Sequence, residues 1–237
     1  MCKAPDAVRP GRSTARWEST ALRTTARIAL LAVAAIGLSG LATAPATAAP
    51  ITVIDSGHVD IFGLGYEEGE FHLHIHDDTA GAELEPSEAL LVAKSESRTT
   101  VPADPAYAFL GAPGRPVWVL PQGRPTADIL WPSIAAEEIE PGVFVDGTLR
   151  LRVECVHGPG DFNIYTTDAA GVPTVLVNSG NGLPDRIGLV AGEHQHANWA
   201  FEAPGYYSVT VRAFGTLAET GERISSEPAT YHFKVNR

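Results

Sequence analysis

From residue 49 onward, apolar and polar positions alternate in short runs broken by Gly and Pro, and helical periodicity is nearly absent. In Thr148-Leu149-Arg150-Leu151-Arg152-Val153-Glu154 every second residue is apolar, as when one strand face meets a core and the other meets water. Tyr207-Ser208-Val209-Thr210-Val211-Arg212-Ala213 repeats the pattern. The same reading places strands at 51–54, 58–66, 70–76, 89–93, 117–120, 148–156, 162–167, 174–177, 193–201, 206–214 and 229–235. Residues 127–139 hint at a helical turn, interrupted by Pro132. Residues 98–125 carry Pro102, Pro105, Pro113, Pro116, Pro121 and Pro125 and read as a long excursion between sheets, a lid or an arm. The whole predicts an all-β fold: one antiparallel β-sandwich, Ig-like or jelly-roll-like, over residues 49–237.

The first 48 residues stand apart. Lys3, Arg9, Arg12, Arg16, Arg23 and Arg27 form a basic stretch, residues 28–41 are an apolar run, and Ala46-Thr47-Ala48 offers small residues for cleavage. This is the pattern of a secretory signal peptide. The apolar run is short for a membrane span and no comparable stretch follows, so the mature chain is expected to be secreted, extracellular or cell-surface associated. Cys2 lies in the leader and Cys155 in the mature part, so no disulfide is expected within the mature chain. The chain carries 17 Lys+Arg against 28 Asp+Glu, and loss of the leader leaves a formal charge of −15. With no basic cluster beyond the leader, nucleic acid is excluded as a partner. An acidic coat favours cations and keeps an exported protein in solution.

Five of the eight histidines fall into two groups at period-two spacing. In Phe71-His72-Leu73-His74-Ile75-His76-Asp77-Asp78, strand alternation puts the imidazoles on one face and the apolar residues on the other. His194 and His196 share a face in the same way, as do His58 and Asp60. Imidazoles two apart on a strand can converge on one ion, with nitrogens about 2.0–2.1 Å from zinc. A sandwich that gathers these segments would build a metal site from His58, Asp60, His74, His76, His194 and His196, with Asp77 as an outer carboxylate. Zn²⁺ suits a His-rich, Cys-poor set best, with Cu²⁺ and Mn²⁺ as the other candidates. His157 and His232 are assigned to a turn and a terminal strand, outside the site. No nucleophile elbow, P-loop, dinucleotide fingerprint or His-Glu-x-x-His segment occurs. Glu193 is the one carboxylate placed to serve as a base, so an enzyme, whether a metal-dependent hydrolase or a copper redox protein, is the weaker reading. A surface interaction module with incidental histidines is the third.

Several short motifs occur in a recognisable order: Gly57-His58-Val59-Asp60, Tyr66-Glu67-Glu68-Gly69, Leu73-His74-Ile75-His76-Asp77, Trp118-Val119-Leu120-Pro121-Gln122, Leu130-Trp131-Pro132, Gly158-Pro159-Gly160 and His194-Gln195-His196-Ala197-Asn198-Trp199-Ala200-Phe201. In this the mature chain resembles the choice-of-anchor M domain, a surface-anchored protein family of actinobacterial type. The resemblance implies a cell-surface β-domain associated with metal-type ABC transport components, with His58, Asp60, His74, His76, His194, His196 and Asn198 at motif positions and His72 outside the pattern. The chain departs from that family in showing no anchor, so a secreted or complex-bound form is expected.

Overall fold

A computed structural model describes residues 50–237; the segment read as a leader lies outside the described residues. In chain order the strands are β1 Thr52–Ile54, β2 Gly57–Glu67, β3 Glu70–Asp77, β4 Ala82–Leu84, β5 Ala89–Ala93, β6 Arg98–Thr100, β7 Pro116–Leu120, β8 Leu130–Ala135 and β9 Phe144–His157. They continue with β10 Phe162–Thr167, β11 Pro173–Asn178, β12 Asp185–Val190, β13 His194–His196, β14 Asn198–Phe201, β15 Gly205–Leu217, β16 Arg223–Ser225 and β17 Ala229–Val235. Three sheets result. A large one runs β1-β5-β17-β15-β9-β12 with β16 added beside β15, a second runs β11-β10-β14-β7-β6, and a third runs β13-β8-β2-β3-β4.

The two smaller sheets pack on the large one around a shared apolar core, which gives the expected all-β, sandwich-like architecture. Phe62 of β2 marks the meeting point of all three, with its ring centroid 4.7 Å from Trp199 of β14 and 4.8 Å from Tyr231 of β17. Phe71 stacks on Phe144 at 5.1 Å, and Phe233 packs on Phe201 at 5.3 Å, tying each small sheet to the large one. Fully burying aromatic side chains of this kind contributes about 1.5–3 kcal/mol each before entropy is counted.

The structure departs from the sequence reading in four places. Pairings β1–β5, β5–β17 and β2–β8 are parallel, so two of the sheets are mixed. Residues 130–135 form a strand where a helical turn was expected, because pairing on both sides outweighs the Pro132 signal. Residues 193–201 divide into two strands in different sheets, with buried Ala197 as the junction. Residues 98–125 are no lid: they supply β6, the 3₁₀ helix Pro105–Leu110 capped by Asp104, and β7, and pack on Val101, Leu110, Val117, Tyr165 and Ala200.

Two backbone devices in β2 and β3 position the chemistry. Glu68 and Gly69, with φ of 50° and 90°, make the two-residue turn that sets the hairpin register. A bulge follows, since Asp60 pairs with His76 but Gly63 pairs with His74. The extra residue sends both Ile61 and Phe62 into the core and brings Asp60 and Gly63 onto the same outer face.

Candidate metal centre

The outer face of the β13-β8-β2-β3-β4 sheet carries the histidines. Register aligns His196, Ser133, Asp60, His76 and Glu83 in one row across five strands. The neighbouring row holds His194, Ala135, Gly63 and His74. On the other side His58 pairs with Trp131. Adjacent strands lie about 4.8 Å apart, so side chains in neighbouring strands of a row are within reach of one ion.

His58, His194 and His196 come together with a ligand atom from each lying within 4.8 Å of the others. His58 Nε2 is 3.2 Å from His194 Nε2, and Asp60 Oδ1 is 3.3 Å from His194 Nε2 and 3.7 Å from His58 Nε2. A tetrahedral ion with ligands at 2.0–2.1 Å has edges of about 3.3–3.4 Å, so these separations already approach the edges of a zinc polyhedron.

The protons show what the cluster is built for. His58 Nδ1 donates to Asp78, His194 Nδ1 donates to Glu137 at 3.0 Å, and His196 Nδ1 donates to the Pro132 carbonyl at 2.9 Å. With Nδ1 carrying the ring proton, Nε2 of a neutral imidazole is a bare lone pair, and Nε2 of His58 and of His194 face each other and Asp60. Ser133 Oγ adds one proton to be shared among the Val59 carbonyl at 3.1 Å, His58 Nε2 at 3.3 Å and Asp60 Oδ1. The centre is therefore rich in acceptors and short of donors, a balance that a cation completes and that buried neutral groups tolerate poorly. Hydrogen bonds on the outer nitrogens are the usual way of orienting metal-ligating imidazoles.

Aromatic packing fixes the rings further. His196 lies flat on Trp131, with centroids 4.0 Å apart and planes 1° from parallel. Burial pushes the His196 pKa below its ordinary value, against the opposing effect of the Pro132 carbonyl, and so favours the neutral, ligand-competent ring. The hydrogen bond from His58 holds the Asp78 carboxyl below the usual range.

The remaining candidates divide. His76 stands beside the centre, its Nδ1 3.8 Å from Asp60 Oδ2 and its Nε2 3.8 Å from Asp78 Oδ1. His74 is not brought in: it groups with His72 and Glu83 further along β3. Asp77, expected as an outer carboxylate, instead accepts the Thr79 and Ala80 backbone N–H groups in the turn after β3, and Asp78 takes that role. Glu193 accepts the Val190 N–H and serves a turn. Asn198 bonds Gln122 and Thr167, joining segments of another sheet.

Sequence reasoning missed Ser133, Asp78, Glu83 and Glu137. The acidic pairs Asp77-Asp78 and Glu137-Glu138 were the available signal, but only the long-range strand pairing assigns them to particular imidazoles. No helix among the described residues is long and apolar enough to cross a membrane. No family model, curated protein or solved structure matches the chain.

Proposed function

We propose that this protein binds a divalent transition metal, Zn²⁺ foremost, through His58, His194, His196 and Asp60. The observation that carries this reading is the convergence of one ligand nitrogen from each of three imidazoles beside a carboxylate oxygen, each imidazole tethered by its Nδ1. Three imidazoles and one carboxylate fill the four positions of a tetrahedral ion. A filled set suits capture or retention, whereas a hydrolytic metal keeps a position for water. Cu²⁺ binds nitrogen sites more tightly than Zn²⁺ in general, so metal supply in the protein's surroundings decides the occupant.

The leader-like first 48 residues support a meeting with the metal outside the cytoplasm. The resemblance to a surface-anchored family extends the reading to delivery of the ion to a metal-type ABC transport component. The incidental-histidine alternative predicts no uptake. Isothermal titration of chelator-stripped protein with Zn²⁺ near neutral pH tests the proposal. Uptake that is lost in His194→Asn/His196→Asn supports it; absence of uptake, or uptake unchanged in that variant, refutes it.

A further inference from the structure

On the same sheet face, two residues along β3 from His76, a second group repeats the logic of the first. His72 Nδ1 is 3.2 Å and His74 Nδ1 is 3.6 Å from the same oxygen, Glu83 Oε1. The outer nitrogens again face carboxylates: His72 Nε2 donates to Glu85 Oε1 at 3.0 Å, and His74 Nε2 is 3.6 Å from Glu138 Oε1. With its proton on Nε2, neutral His72 directs a lone pair from Nδ1 at the Glu83 carboxylate, an arrangement that repels unless a second proton or a metal cation lies between them.

His74 supplies an independent observation. It is only 2% exposed, and its Nδ1 has no hydrogen-bond partner. A buried imidazole nitrogen left unpaired is destabilising, so a purely structural histidine would be expected to find a partner. The backbone beneath is shaped to hold the ring: a Cβ on Gly63 would come within 2.4 Å of it. Space has been cleared for an imidazole whose inward nitrogen meets only another imidazole and a carboxylate.

We propose that His72, His74 and Glu83 form a second metal site, separate from the centre at His58, His194 and His196, that takes a divalent transition metal of the Zn²⁺ class. Two nitrogens and one carboxylate oxygen leave a fourth position. His72 and Glu83 side chains are 43% and 48% exposed, so that position opens towards solvent. A three-ligand, solvent-facing site exchanges its ion more readily than a filled one. His76 stands between the two groups, at the row of Asp60 and two residues from His74. The site stands on its own ligands, and its existence does not depend on the first centre.

The test is metal stoichiometry by native mass spectrometry, with Zn²⁺ added to chelator-stripped protein. The variant His72→Asn/Glu83→Gln changes two half-exposed side chains and leaves the core intact. His194→Asn/His196→Asn serves as the reciprocal variant. Circular dichroism checks that each is folded. Expected are two equivalents in the unaltered protein and one in each variant, the two losses adding when the variants are combined. Two equivalents surviving in His72→Asn/Glu83→Gln overturn the second site, as does a single equivalent that this variant retains. A single equivalent lost only in His72→Asn/Glu83→Gln upholds the second site and refutes the first. No uptake at all refutes both.

Discussion

Gly63→Ala isolates the floor of the histidine face. Gly63 is absent from the positive-φ positions, so alanine can take its backbone conformation and the cost is one of space alone. The added Cβ would lie 2.4 Å from His74 Nε2 and 2.5 Å from Cδ2, well inside contact distance, against a ring that is itself buried. Overpacking of this kind costs about 1–3 kcal/mol. Replacing Gly at an unstrained position returns about 0.4–1 kcal/mol by restricting the unfolded chain. The net loss should be about 1–2 kcal/mol, which lowers the urea midpoint by about 0.5–1 M at an ordinary slope of about 2 kcal/mol/M. Gly188→Ala is the matched control: it too lies in a strand, in β12, and nothing is within 4 Å of the position its Cβ would take. That variant should be neutral or slightly stabilised. Urea unfolding in excess chelator, followed by tryptophan fluorescence, reads both. If Gly63→Ala unfolds at the same midpoint as Gly188→Ala with an unchanged slope, the close seating of His74 over β2 is wrong.

Further outcomes follow from the same geometry. Because His196 lies flat on Trp131, Cu²⁺ binding should quench a fraction of the tryptophan emission, and Trp131→Phe should remove that metal-sensitive fraction in a fluorescence titration. Glu137→Gln and Ser133→Ala each weaken the support of a ligand, His194 and Asp60 respectively, and should raise the Zn²⁺ dissociation constant about 10–100-fold in competition titrations. In chelator, His74 and His196 are held below the ordinary 6.5 by burial, so the unfolded chain binds the extra protons. Stability should therefore fall as pH drops below 6.5, and a midpoint flat through that window in urea unfolding would contradict it. His72, raised by its bond to Glu85, acts in the opposite sense: its stabilisation is complete below 6.5 and fades as pH rises through its folded value, so the midpoint loss in His72→Asn should shrink on going alkaline. At 100 times its dissociation constant, Zn²⁺ should stabilise the protein by about 2.7 kcal/mol per site, seen as a rise in Tm by differential scanning calorimetry.

Alternation made β3 and β9 legible from the sequence, and with β3 the presence of an imidazole face over an apolar one. It also paired His58 with Asp60 and His194 with His196. What alternation could not supply was partner choice. His74 and His76 look equivalent in the sequence, yet the bulge in β2 sets Gly63 under one and Asp60 opposite the other, and so sends them to different groups. The strand at 130–135 was hidden by Pro132, whose carbonyl nonetheless proves to hold the His196 ring. Likewise, residues 193–201 read as one strand because nothing local marks buried Ala197 as the point where the chain leaves one sheet for another. Long-range register, a property of the assembled core, converts three separate histidine-bearing segments into one cluster.

The most direct examination is a crystal structure of the Zn²⁺-loaded protein with data collected across the zinc absorption edge. The account predicts an anomalous peak about 2.0–2.1 Å from Nε2 of His58, His194 and His196, with the Asp60 carboxylate completing the set. Full zinc loading with no peak between those three nitrogens would contradict it.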